Sequence, residues 1–530
     1  MTKGETLGRR SASHRAGAEG EAAIDGTVTT DVRDHERASG TEPFPGDDVP
    51  FFSVVVPTYA RPGRLARCLH AVAALEYPAS RVEIVVVDDG SEEEQLRRIR
   101  AACREVGATL LERDHAGPGA ARNAGAAVAR GDFLAFVDDD CEPEPDWLRR
   151  LAARFAVSPH AAIGGRTVNA LPDDPYASAS QALIEYLYDY YDDPALAEQR
   201  FFASNNLALP RAGFLSIGGF DEAFTLAAAE DRDLCHRWVH HGNELVYAPD
   251  AVVRHSHAMD LAAFCRQHFN YGKGAFRYQR ARGRRRRDRM RVEPLRFYTD
   301  MLGRPFSRRP VAQATGTAAL LLVSQAANAA GFVVQAARDS VRHAVALARL
   351  PRAVASFYLR AHTLARRSGD EWTLMTFVPL ADVRHLIELG RGRRNVVVIG
   401  PGAVWAPIAL ALADRRRSVR AFGPSDRHER EAYLALVDDS VRSRIQLAEH
   451  QALLPKPGEA AVDLLFIDRS DFPDEIVDAF EAWRPHLSPG ARVLFHDYGD
   501  PRWPRVAEAV ERLQLRGESR GRVFVWTSPG

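Results

Sequence analysis

Residues 51–59, FFSVVVPTY, and 82–91, VEIVVVDDGS, decide the fold. Each opens as a short apolar run rich in β-branched residues and ends abruptly, the first at Pro57, Thr58 and Tyr59, the second at Asp88, Asp89 and Gly90. Between them Leu65, Leu69, Val72 and Leu75 recur at helical spacing after Pro62 and Gly63, which predicts a helix with one buried face. Strand, helix and strand within about forty residues make a βαβ unit, and hence a parallel sheet whose ligands collect at the carboxyl ends of its strands.

The alternation continues outward through a helix at 92–106, a short strand near ATLLERD, the turn HAGPGAARNAG, a further helix and the strand DFLAFVDDDC at 132–141. A fresh alternation starts at RNVVVIGPG, 394–402, and runs nearly to the C-terminus, predicting a second α/β domain. Residues 1–49 contain no apolar run and leave through Pro43, Pro45 and Pro50; they read as a disordered tail, without the apolar core of a secretory signal. The resulting division is a tail at 1–49, a first α/β domain at 50–280, a basic and helical connector at 281–390 and a second α/β domain at 391–530.

Composition agrees with this division. A chain of 530 residues exceeds one ordinary domain, and its 46% hydrophobic and 26% charged residues are near globular averages, which excludes a wholly disordered or polytopic membrane chain. Seventy basic and seventy acidic residues cancel, so bulk attraction to nucleic acid is not a leading idea. Five scattered cysteines without a CxxC pair argue against a disulfide framework or a zinc site, and fit a reducing cytoplasm.

The strand ends carry Asp88, Asp89, Asp138, Asp139 and Asp140. Crowding carboxylates at one sheet edge is costly unless a cation sits there, and a divalent ion shared with substrate phosphates is a common solution. One such cluster is as well explained by capping and turns; two on consecutive segments are less so.

VVVPTYARPGRLARCL, VEIVVVDDGS, GPGAARNAG, GDFLAFVDDDCEPEPDWL and GGFDEAF…AEDRDLCHRW together resemble family 2 glycosyltransferases of the GT-A, Rossmann-like fold, over residues 52 to about 275. The resemblance implies a nucleotide-diphospho-sugar donor, Mn2+ or Mg2+, and transfer with inversion to a glycan or lipid-linked acceptor. It implies that Pro57, Thr58 and Tyr59 receive the nucleotide, with Asp88, or Asp89 as the alternative, on the base. Arg122 would meet the nucleotide or diphosphate, and Asp138 the ribose. Asp140 and His255 would serve the metal, while Asn205 and Asn206 occupy the donor-sugar loop. Asp139 is expected to point away from Asp138 and Asp140, since neighbouring strand residues face opposite sides.

Transfer to a hydroxyl needs a base; the resemblance assigns it to Asp231, with Glu230 as the next choice. Processive relatives carry QxxRW, whereas this chain has Leu234 in place of the glutamine, which favours a single addition. Ala229 stands where a glycine commonly precedes the base motif.

Residues 311–337 are uncharged and long enough to cross a bilayer. Gln313, Thr317, Ser324, Asn328 and Gln335 form a polar stripe along them, which suits a helix packed on protein or lying in a membrane interface. Just ahead, 282–291 carries seven arginines. Together they lead us to expect peripheral contact with the inner face of the cell membrane.

In the second domain, VDLLFIDRSD…LSPGARVLFHDY resembles class I S-adenosylmethionine-dependent methyltransferases, with Asp468, His496 and Asp497 at the strand ends. Val398, Val404 and Gly423 stand at positions where such enzymes have cofactor-binding residues, which weakens cofactor binding. The leading expectation is a glycosyltransferase in cell-surface glycan or glycolipid (polysaccharide) synthesis, of bacterial type. The alternatives are a non-catalytic sugar-nucleotide or glycan-binding assembly module and a bifunctional glycosyltransferase/methyltransferase.

Overall fold

A computed structural model describes residues 49–285, 292–370, 373, 378–400, 404–423, 427–448, 461–468, 473–499 and 504–529. The expected tail and most of the arginine run lie outside the described residues. The first sheet comprises β1 (Phe52–Thr58), β2 (Val82–Asp88), β3 (Thr109–Glu112), β4 (Phe133–Phe136), β5 (Cys141–Pro143), β6 (Ala162–Asn169), β7 (Leu207–Pro210) and β8 (Leu245–His255), in the order β3-β2-β1-β4-β7-β6-β8-β5. β1 runs parallel to β2 and β4, with Thr58 opposite Asp88, so both polar strand ends share one edge. β7 is antiparallel to β4 and β6. Val54, Val55 and Val56 are all buried, as expected for a strand covered on both faces.

The helices follow from local signals. α1 (Pro62–Ala73) starts on a proline, where a missing N–H costs nothing. α2 (Glu93–Val106) has a capping box between Glu92 and Gln95 and ends at left-handed Gly107. The segment read as a turn before a helix is itself α3 (Pro118–Val128), again opened by a proline. Gly125 lets α3 lie close to the sheet, since a Cβ there would be 2.5 Å from Val55 Cγ1. Then come α4 (Trp147–Val157), α5 (Pro175–Tyr191), α6 (Arg211–Ser216) and α7 (Glu230–His240).

The helical middle is α8 (Leu261–Arg285), α9 (Leu295–Arg308), α10 (Val311–Ala348) and α11 (Arg352–Ser368). α10 packs along α8, α9 and α5. A Cβ on Gly272 of α8 or Gly331 of α10 would collide with the Asn328 and Phe269 carbonyl oxygens respectively, so the two backbones nearly touch. Thr317, Ser324 and Gln335 of the polar stripe are buried, while Leu322, Val333, Val341 and Val345 are exposed. Gln313, counted in the stripe, faces outward.

The second sheet holds β9 (Asn395–Ile399), β10 (Ser418–Phe422), β11 (Ile445–Ala448), β12 (Val462–Ile467), β13 (Leu487–His496), β14 (Glu518–Arg520) and β15 (Val523–Thr527), ordered β11-β10-β9-β12-β13-β15-β14. β15 is antiparallel to β13. Phe357, Tyr358 and Ala361 of α11, and Val383 and Leu386 of α12 (Leu380–Leu389), share a core with Val396, Leu464 and Leu494. The hydrophobic body of this domain therefore begins near Leu350, ahead of the expected boundary at 391, because amphipathic helices from the connector cover one face of the sheet.

Candidate active site

One cavity of about 1200 Å3 opens at the carboxyl edge of the first sheet. Pro57, Thr58 and Tyr59 from the end of β1 line it, together with Asp89, Arg122, Asp138, Asp139, Asp140, Asn205, Glu230, Asp231, His255 and His257. The Tyr59 and His115 rings lie 4.6 Å apart between centroids with their planes tilted by 33°, an aromatic surface a planar base can extend.

Two assigned residues do not reach the cavity. Asp88 accepts hydrogen bonds from the Ser91 amide (2.9 Å) and hydroxyl; it closes the turn after β2, as aspartates at strand ends often do. Its neighbour Asp89 accepts from the Ala116 and Gly117 amides at 3.1 and 2.8 Å and meets His115 Nδ1 at 2.9 Å, so of the two it is the one that faces the cavity. Asn206 accepts from Trp147 Nε1 at 2.9 Å and donates to the Arg166 and Ala251 carbonyls. It is a buried strut between strands, whereas Asn205 lines the cavity and accepts from Thr167 Oγ1.

The three aspartates 138–140 follow β4 on a turn closed by Cys141 N donating to Asp138 O at 3.0 Å. Strand alternation ends at Phe136, so Asp139 does not point away from Asp140 as expected: Arg61 Nη1 stands 3.4 Å from one and 3.7 Å from the other. Asp139 also accepts from Thr58 Oγ1 at 2.8 Å. Burial pushes its carboxyl up to about 6, with Arg61 opposing.

Asp140 meets His255 Nε2 at 3.2 Å, His257 Nδ1 at 3.5 Å and Arg64 Nη1 at 2.9 Å. Burial alone would raise it, but the two imidazoles more than offset this and hold it well below the usual carboxylate range. His255 shifts up in return: burial opposes the charged ring, and Asp140 overcomes it. One carboxylate and two imidazoles, with donor atoms within 4.8 Å of one another, fit a divalent ion with borderline preferences such as Mn2+ better than Mg2+, which favours oxygen. His257 had escaped the sequence reading, although the HSH spacing of 255–257 was a signal that both rings can turn to one side.

Across the cavity Arg122, buried on α3, donates to Asp138 Oδ1 at 2.6 Å and Glu230 Oε1 at 3.2 Å. Glu230 and Asp231 open α7 behind Ala229, which takes a left-handed conformation with φ 69°. Burial raises both carboxyls; the Asp231 charge pushes Glu230 further, and Arg122 holds each back. Asp231 accepts from the Arg232 amide at 2.8 Å. Of the motif after it, Arg237 bonds Asp233 and the Ile217 and Gly219 carbonyls, and Trp238 is buried; both build the core.

In the second domain His496 lies 2.7 Å from Asp468 and 3.4 Å from Asp382, and Arg522 reaches Asp382 and Asp497. Burial opposes protonation of His496, but its carboxylate partners raise it to about 10. The protonated ring balances the acids around it, and donor atoms of Asp468, His496 and Asp497 lie within 4.8 Å of one another. Gly423 follows β10, and a Cβ there would be 2.5 Å from Gly400 O; the crevice beside it holds about 20 Å3.

Residues 53–216 match the family profile described as Glycosyl transferase family 2, and 397–498 match one described as Methyltransferase domain. The chain is 27% identical over 232 residues to Glycosyltransferase AglE of Haloferax volcanii, covering 43% of this chain and 73% of that one. It is 30% identical over 229 residues to the pre-mycofactocin glycosyltransferase of Mycobacterium tuberculosis (42% and 46%). To the validoxylamine A glucosyltransferase of Streptomyces hygroscopicus subsp. limoneus it is 29% identical over 237 residues (39% and 52%). The match thus spans about half the length of the latter two relatives. Among solved structures, it resembles a mannosyltransferase from Pyrobaculum calidifontis in complex with GDP-Man and Mn2+, with a TM-score of 0.38 and 19% identity over 57% of this chain and 82% of that one.

Proposed function

We propose that this chain, a fusion of a family 2 glycosyltransferase domain with a methyltransferase-type domain, moves a sugar from a nucleotide-diphospho-sugar to an acceptor hydroxyl with inversion. The observation that carries the reading is that one cavity gathers a candidate metal set (Asp140, His255, His257), a candidate base (Asp231) and a guanidinium, Arg122, spanning Asp138 and Glu230.

Thr58, Tyr59 and Asp89 receive the nucleoside, and Asp138, fixed by Arg122, meets the ribose. Asn205 faces the donor sugar. A divalent ion, Mn2+ or Mg2+, held by Asp140, His255 and His257 would supply positive charge against the departing diphosphate. Asp231 takes the acceptor proton as the new bond forms. It is preferred over Glu230 because Arg122 engages the Glu230 side chain in a buried contact, which fixes it for positioning.

The acceptor is a glycan or a lipid-linked molecule in cell-surface glycan synthesis, made at the inner face of the membrane. The outward apolar face of α10, together with the seven arginines at 282–291, supports peripheral attachment there, and flotation with anionic vesicles that is reversed by high salt is the matching result. The second domain is read as a structural or acceptor-binding body.

A melting-point screen of the purified chain against UDP, GDP and dTDP sugars, with and without Mn2+, tests the reading. One donor should raise the melting point, and more so with the metal; no response to any donor under either condition would overturn it.

A further inference from the structure

We propose that Tyr271 of α8 is a further residue of the transfer site: its phenol donates a hydrogen bond to the acceptor oxygen whose proton Asp231 takes, and Gln267 orients the phenol. The inference rests on the glycosyl-transfer reading and adds to it the contact that aims the acceptor.

α8 turns one face to the cavity. Gln267, Tyr271, Ala275 and Gln279 recur every fourth residue along it, with His268 beside them, and all line the cavity together with Asp231; residues so spaced share one side of a helix. Two glycines fix where this side points. A Cβ on Gly274 would be 2.3 Å from the Ala228 carbonyl oxygen, and one on Gly272 would collide with the Asn328 carbonyl of α10. α8 is thus pressed on one side against the residue before left-handed Ala229 and on another against α10. Tyr271 stands one residue before Gly272 and three before Gly274, so it projects between the two contacts, toward the first turn of α7 that carries Asp231.

The phenol is held at both its ring and its oxygen. The ring meets His268 edge to face, with 5.5 Å between centroids and 85° between planes, and His268 in turn packs on Phe264 at 4.4 Å. Gln267 Nε2 donates to Tyr271 Oη at 2.9 Å. That bond occupies a lone pair and leaves the O–H proton to be donated; among the described residues nothing accepts it. Burial keeps the proton on the phenol, and the charges of Asp231 first, then Glu230 and Asp138, act in the same direction, so the hydroxyl lies within electrostatic reach of the base.

Two further atoms on this side lack a partner. Gln267 Oε1 and His268 Nε2 are buried and make no hydrogen bond among the described residues. His268 is 1% exposed, and burial pushes its ring down to about 4, so it is neutral at neutral pH. Buried polar atoms are nearly always paired in folded proteins, and unpaired ones on residues that line a cavity point to a ligand that completes them. A hydroxyl oxygen has one proton and two lone pairs. With its proton on Asp231 and one lone pair taken by Tyr271, the other is aimed at the donor sugar. That pair forms the new bond as the sugar–phosphate bond breaks. The diphosphate leaves with the electrons of the broken bond, the acceptor proton passes to Asp231, and the phenol keeps its own.

The test takes water as the acceptor hydroxyl: hydrolysis of UDP, GDP and dTDP sugars by the intact chain with Mn2+ present, with donor affinity by calorimetry and the melting point read on the same samples. Tyr271→Phe should lower kcat about tenfold, the upper end for one neutral hydrogen bond, and leave donor Kd and melting point as in the parent. Gln267→Leu should lower kcat by a few-fold and add nothing in the Tyr271→Phe background, because it acts through the phenol. Undiminished kcat in Tyr271→Phe, or losses that add in the double variant, would overturn the inference. So would a donor affinity or melting point that falls in step with kcat, which would make Tyr271 a donor-binding or structural residue. Each of these removes this inference alone; a parent chain that hydrolyses no donor removes the transfer reading and this inference with it.

Discussion

Arg122 Nη1 stands 3.2 Å from Glu230 Oε1, with both side chains buried. The pair ties the helix after β3 to the first turn of α7, and the same guanidinium reaches back to Asp138. Removing it leaves a buried carboxylate without its cation, a loss of about 3–5 kcal/mol. Arg122→Met should therefore lower the urea midpoint and turnover together. An unchanged midpoint would mean that the pair does not hold α7 in place.

Asp231 and Glu230 are neighbours with separable roles. Asp231→Asn should leave donor affinity within a few-fold while turnover falls about 10²- to 10⁴-fold. Glu230→Gln should instead shift stability and donor affinity, because Arg122 loses its charged partner. Equal loss of donor affinity in Asp231→Asn, measured by calorimetry, would make Asp231 a binding residue.

Ala229 is held at φ 69°, a conformation that costs an L-residue about 1–2 kcal/mol. Glycine relieves that strain but loses about 0.5–1 kcal/mol through its freer unfolded chain. Ala229→Gly should thus raise the melting point by about 2 °C. A fall would show that the alanine methyl group contributes packing that outweighs the strain.

How far the chain announces this site varies with residue. The strand ends at Thr58, Asp89 and Asp138 were legible because an apolar run that stops at a carboxylate marks a sheet edge. Which of two adjacent aspartates faces the cavity was not, since Asp88 and Asp89 differ only in whether Ser91 or the 116–117 amides lie within reach, and that depends on the turn. Asn206 misled for the same reason: a strand-end amide suits a ligand and a strut equally well. The polar stripe of α10 pointed to a packed face, but nothing local said that α8 would cover it. Nor could the periodicity of α11 and α12 reveal which sheet they would cover.

His496 gives the second domain a pH signature. Its folded value is about 10, against about 6.5 for an unfolded histidine. The ring binds its proton more tightly when folded, so its contribution is fully present below about pH 6.5 and is lost as pH rises through about 10. Denaturant melts of the intact chain across that window should show falling stability, and His496→Gln should flatten the slope. A slope that persists in the variant would place the effect on another group.

The central claim is tested most directly by release of nucleoside diphosphate from UDP, GDP and dTDP sugars, measured with and without Mn2+ in the parent chain, Asp140→Asn and His257→Ala. The account requires Mn2+-stimulated release from one donor in the parent and its loss in Asp140→Asn. In His257→Ala the Mn2+ needed for half-maximal rate should rise by about tenfold or more, as expected when a residue that holds the metal is lost. Undiminished Mn2+-stimulated release in Asp140→Asn, or no release from any donor in the parent chain, would contradict it.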